Sequence, residues 1–148
     1  AKDGRDSRLS PRTQGEGDEA WIERSIREVR SVRGLPELTR APSLDAFASS
    51  HARDVCTAML AVHVLPGGYA PSLRASRAGH AGVVTENVAI AETVERAAQN
   101  FLSTPSHAIN IFDRAARELG VGVAKRGNSV CVVESFGRDV WRATAQDE

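Results

Sequence analysis

The sequence predicts an α/β protein, a three-layer α/β/α sandwich with a small antiparallel sheet, and three observations lead there. The run "VCVVESFG" (residues 130–137) is β-branched and apolar on both faces, with Val130 and Val132 pointing one way and Cys131 and Val133 the other. A strand with two apolar faces needs cover on both. Just upstream, "LGVGVA" (119–124) alternates large and small residues and "KRGNS" (125–129) has turn chemistry, so the two runs are expected to pair as an antiparallel hairpin. Finally, the segments before the hairpin carry helical rather than strand periodicity, and they supply the covering layers.

Taken in order, residues 1–17 are rich in charge, Gly and Ser and hold one large hydrophobe, Leu9, which reads as a flexible N-terminal arm. A single domain is expected over 18–148. Its first helix starts at Asp18 as N-cap, carries Ile22, Ile26 and Val29 on one face and arginines on the other, and closes at Gly34. Ser43 is the expected cap of a second helix with the inner stripe Phe47, Ala48, Ala52, Val55 and Met59, ending near His63. Residues 65–84, full of Pro, Gly and Ser, read as a long loop, a kind of segment that is often functional or mobile. Val94, Ala98 and Phe101 share one face of a third helix. A short helix over 104–112 opens on Thr104 and Pro105, with His107 in its first turn.

Composition narrows the function. With 148 residues and 41% hydrophobic content one core is expected, and 19 basic against 19 acidic side chains leave no net charge to draw nucleic acid over the whole surface. No apolar run approaches the roughly 18 residues of a membrane span, so no transmembrane segment is expected. Two cysteines, Cys56 and Cys131, make no framework and no CxxC zinc motif. They are either two buried thiols or one disulfide.

Among the four histidines, His63 ends the second helix and His107 opens the short one; Glu86 lies between them, with about twenty residues separating successive members. Spacing alone does not bring the three together, and each in isolation reads as an ordinary surface or half-buried residue. His51, with Asp54 three residues on, reads as a local side-chain pair, and His80 as a solvated residue of the loop.

In sequence order, "SLDAFASSHARDV", a histidine, "ENVA", "FLSTPSHAIN", "LGVGVA" and "VVESFG" resemble the CAP superfamily of cysteine-rich secretory, antigen-five and plant pathogenesis-related proteins, in its compact bacterial form. The similarity runs from about residue 22 to 137. It implies that His63, Glu86 and His107 line one polar cavity, with Ile109 or Ile111 anchoring the other side of the short helix. Three positions depart from the family pattern: Thr85 stands where Gly is usual, Phe101 where Trp is common, and Ser106 where Gly precedes the histidine. The second cavity glutamate of larger members has no match.

The resemblance further implies a secreted or cell-envelope location, extracellular or periplasmic, and a monomeric binding module whose cavity takes a ligand, a divalent metal or a partner. Small molecules, lipids and proteins are all candidate partners. Two imidazoles and a carboxylate are the ligand count of an open zinc site, with His63 and His107 as metal ligands. The alternative is a metal-assisted hydrolase with Glu86 as base and Ser103 or Ser106 nearby, although no Gly-x-Ser-x-Gly elbow occurs and the expectation leans away from an enzyme. A third reading is a scaffold whose cavity residues hold the 65–84 loop.

Overall fold

The computed structural model describes residues 8–80 and 82–138, and residues 1–7, 81 and 139–148 of the expected arm and domain lie outside them. Helix α1 spans Asp18–Val32, strand β1 Thr39–Arg40, α2 Pro42–Ala58, α3 Pro71–Arg77, β2 Val83–Ala91, α4 Val94–Ser103, α5 Pro105–Ile111, β3 Ala116–Arg126 and β4 Ser129–Arg138. The sheet order is β1-β3-β4-β2, antiparallel except for the two-residue parallel pairing of β1 with β3. The α/β/α sandwich is therefore present, and the hairpin expected at 119–137 is β3–β4.

Both faces of β4 are covered as its alternation requires. Val130, Val132 and Phe136 enter the larger core with Trp21, Ile22 and Ile26 of α1 and Ala97, Ala98 and Phe101 of α4. Cys131 and Val133 face the other way, against Ala48, Ala52 and Val55 of α2. The close approach of α2 depends on glycine: a Cβ on Gly122 would sit 2.3 Å from the Ala48 carbonyl, and one on Gly120 2.3 Å from that of Leu44. The small residues of "LGVGVA" are thus the seat of a helix. Across this layer Cys56 and Cys131 form a disulfide with Cα atoms 5.7 Å apart, which settles the cysteine alternatives in favour of the bond.

The helix starts differ from expectation. Gly17, not Asp18, is the N-cap of α1, and Asp18 lies in the first turn, where its charge suits the positive helix end. Helix α2 begins at Pro42, whose fixed φ suits the first helical position, rather than at Ser43. It stops at Ala58, because Met59 takes a left-handed conformation with φ 53° and turns out to solvent. His63 consequently stands in the following loop, not on the helix. The stretch expected to be a loop over 65–84 contains α3 and the start of β2.

Residues 8–17, expected within a flexible arm, run against the body of the protein. Leu9 packs on the larger core and its N–H donates to Gln99, Trp21 Nε1 donates to Ser10 O, and Arg24 binds Glu16 through two nitrogens. Low hydrophobicity concealed these contacts, since they are polar anchors with a single apolar plug.

Arg30 also departs from the reading of α1. It does not share the solvated arginine face but is buried, donating to the carbonyls of Pro36, Ile111, Asp113 and Ala116. One guanidinium thereby satisfies the carbonyl end of α5 and the entry to β3. Arg30→Met is expected to lower the unfolding free energy by about 3 kcal/mol, because buried carbonyls lose their donor. Arg27→Met, at a partly exposed ion pair, should change it by no more than about 0.5 kcal/mol. Denaturant midpoints of the two variants check this, and equal midpoints would refute the assigned role of Arg30.

Candidate functional site

The site is built around β2, an edge strand of the sheet whose central residues are buried. Alternation along this strand places Val84, Glu86, Val88 and Ile90 on the α2 side and Thr85, Asn87, Ala89 and Ala91 on the α4–α5 side. Glu86 and Asn87 therefore carry polar chemistry to opposite faces of the sheet.

On the α2 side the Glu86 carboxylate is fully buried and held from three directions. Arg74 of α3 forks onto it, Nη1 to Oε2 at 3.1 Å and Nη2 to Oε1 at 2.9 Å, while His63 Nδ1 lies 3.1 Å from Oε1. His51 Nε2 sits 3.5 Å from the same oxygen and donates to Val62 O at 2.9 Å. Burial pushes the Glu86 carboxyl up, but the hydrogen bonds of His63 and Arg74 and the charge of Arg74 outweigh it and hold the group below its ordinary range. For His51 burial dominates and lowers its pKa, so its contact with Glu86 is that of a neutral imidazole, not of an ion pair.

On the other side, Asn87 Nδ2 donates to His107 O and to Glu134 Oε1, both at 3.1 Å, and Asn110 Nδ2 donates to Asn87 Oδ1 at 2.9 Å and Glu86 O at 3.3 Å. These amides lock α5 onto β2 and set the direction of His107. Ile111 anchors the buried side of that helix, while Ile109 is exposed. The Thr104 side chain makes no cap, so Pro105 and the Phe101–His107 edge contact, with ring centres 5.1 Å apart, fix the first turn. His107 Nδ1 is buried without a partner among the described residues. Its pKa is lowered, by burial first and then by the nearby charge of His63.

The structure thus joins His63 directly to Glu86 and hangs His107 across the strand edge, linked to them through Asn110 and Asn87. Two residues at Glu86 were not anticipated. Arg74 lay in a stretch read as loop, and its one sequence signal was a cation at the end of a short Pro-started helix. His51, expected to pair locally with Asp54, points instead at Glu86 and the Val62 carbonyl. His80 is buried rather than solvated, its Nδ1 3.2 Å from Ser43 Oγ and its Nε2 3.8 Å from Glu118.

Glu134 is the remaining acidic group near the site. It is completely buried, and burial raises its pKa to about 8 against the lowering effect of the Asn87 hydrogen bond. At neutral pH it is mostly an uncharged acid.

This edge, polar on both sides, is set on a sandwich that has five helices and four strands among the described residues. The chain belongs to the CAP, or cysteine-rich secretory protein, family, whose model matches residues 24–135. Its fold is similar to that of an extracellular protein containing a SCP domain from Bacillus anthracis, with TM-score 0.76, 23% identity, and coverage of 88% of this chain and 45% of that one. It also resembles an outer surface protein from Borrelia burgdorferi, with TM-score 0.75, 21% identity, and coverage of 88% and 98%. A cysteine-rich secretory protein from Staphylococcus aureus matches at TM-score 0.64 and 16% identity, covering 87% of this chain and 41% of that one. The chain thus spans less than half of the Bacillus and Staphylococcus chains and nearly all of the Borrelia one. A search of curated proteins found no match. Among the described residues no helix is long and apolar enough to cross a membrane.

Proposed function

We propose that this chain is an extracellular or cell-envelope binding module, monomeric, whose polar site along β2 recognises a ligand without transforming it. The observation that carries this reading is the state of Glu86: both carboxylate oxygens are engaged by Arg74, and His63 and Arg74 hold the group ionised. A general base needs a free lone pair and a pKa near the working pH. Glu86 has neither. Ser103 Oγ accepts from Gln99 and Ser106 is exposed, and among the described residues no hydrogen bond joins either serine to the His107 ring. The location is supported by the family, by the extracellular and outer-surface proteins of like fold, and by the disulfide, which suits an oxidising compartment.

The same geometry bears on zinc. His63 and His107 would be its ligands, but Glu86 is committed to Arg74, and among the described residues no group of three or more His, Cys, Asp or Glu side chains is placed to hold a metal ion. The donor set does not fit an open three-ligand site. Calorimetric titration at pH 7.5 is expected to show no zinc binding tighter than about 1 µM. Tighter binding that His107→Ala abolishes and that weakens at pH 5.5 would restore the metal reading. Incubation with chromogenic esters and unfolded protein substrates, with and without added zinc, is expected to give no turnover. Turnover that Glu86→Gln removes would establish the hydrolase instead.

A further inference from the structure

The hydrogen bonds of β2 divide its edge in two. Val84 exchanges bonds with Ser72, its N–H donating to Oγ and its carbonyl accepting from it, and Glu86 O accepts from Asn110. Even-numbered residues of β2 therefore turn their backbone groups outward, and odd-numbered ones toward β4, in keeping with their antiparallel register. Val84 and Glu86 are already served by side chains. Val88 and Ile90, next in the same parity, present N–H groups that donate to, and C=O groups that accept from, no other element among the described residues, and β2 is an edge of the sheet.

These groups open onto a groove of about 650 Å³. It is lined by Val88 to Ala91 of β2, by Arg96, Ala97, Gln99, Asn100 and Ser103 of α4, by Ala61, and by His107, whose buried Nδ1 has no partner among the described residues. Edge strands are usually blunted by charge, proline or cover. Ser72 and Asn110 protect the first half of the strand, whereas at Val88 and Ile90 the charged Arg96 borders the groove and Val88 itself is 5% exposed.

We infer that this groove binds an extended polypeptide segment of a partner, added to β2 as a fifth strand through the backbone of Val88 and Ile90. Outward N–H and C=O groups alternating on every second residue match the repeat of another β-strand. Side chains of the added strand would fall alternately toward Ala61 and toward the α4 side, where Arg96, Gln99, Asn100 and Ser103 favour polar ones. A second copy of this chain is a poorer occupant, since its own β2 edge lies behind its own α4 wall. The inference rests on the binding-module reading and names the partner class of that site.

Selection from a displayed library of random seven-residue peptides against the oxidised protein supplies the probe. Selected peptides are expected to slow hydrogen exchange at the Val88 and Ile90 amides, which in the free protein should exchange faster than those of Ala89 and Ala91 paired to β4. Ile90→Pro removes one outward N–H and leaves the ladder to β4 intact, as an edge strand permits, and should weaken the selected peptide by about tenfold or more. Asn100→Trp, on the exposed side of α4, blocks the groove without touching the core and should abolish binding even if Ile90→Pro folds poorly. No enrichment over the Asn100→Trp protein, or binding that neither variant alters, overturns the inference. So does protection of Val88 and Ile90 without peptide, whether it rises with protein concentration, marking a second copy, or is present in dilute protein, marking a segment of this chain. Failure of the binding-module reading is distinct, since it is read as turnover.

Discussion

Removing the Cys56–Cys131 bond is expected to lower the unfolding free energy by about 4 kcal/mol, the chain-entropy value for a closure of this length. The bond spans 75 residues and ties α2 to β4 through the smaller core, where both half-cystines are buried. A long loop leaves the reduced chain much freer, and the small core of Ala48, Ala52, Val55, Val88 and Val133 has little apolar area with which to compensate. Urea unfolding of the oxidised protein and of the Cys56→Ala/Cys131→Ala variant measures the loss. Reductant should destabilise the wild type and leave the variant unchanged. Unfolded protein that reacts with a maleimide before any reductant is added would show that the thiols are free and would refute the bond.

The second large effect is on pH dependence, through Glu134. Its pKa is raised from an ordinary 4.5 to about 8 in the folded protein. Below the unfolded value both states carry the proton, and Glu134 is neutral in its effect. Between the two values the unfolded chain releases its proton while the folded chain keeps it, so stability falls as pH rises, and the loss is complete above about pH 8. The span corresponds to roughly 5 kcal/mol. Neutral Glu134→Gln should keep the Asn87 contact and abolish this slope, gaining most over the wild type near pH 8. Glu86, His51 and His107 all have lowered values and act in the opposite sense, losing stability on acidification, through the histidine range for the imidazoles and below the ordinary carboxylate range for Glu86. Comparing thermal stability of wild type and Glu134→Gln from pH 5 to 9 isolates the one group. A difference that does not vary with pH would refute the buried neutral acid.

Much of the scaffold was legible because side-chain period reports burial direction. The two faces of β4, the Ile22–Ile26–Val29 stripe of α1 and the Val94–Ala98–Phe101 stripe of α4 are local patterns, and each residue is buried where its period places it. By contrast β2 was not read as a strand, since Thr85, Glu86 and Asn87 interrupt the apolar alternation at its functional centre. Resemblance supplied His63, Glu86 and His107 as a group, which spacing did not.

What the sequence by itself determined is the layering, the hairpin, and the polar residues available to a site. Tertiary structure alone decided what those residues do. Arg30 and Arg27 are both arginines on one amphipathic helix, yet one is buried because the carbonyls of Ile111 and Asp113 end above it, more than 80 residues away in the chain. Arg74 neutralises Glu86 only because α3 folds back over β2. The open half of the β2 edge exists because Ser72 and Asn110 reach Val84 and Glu86 and stop there. Periodicity is a property of neighbours along the chain, whereas hydrogen-bond satisfaction depends on which distant groups the topology brings within about 3 Å.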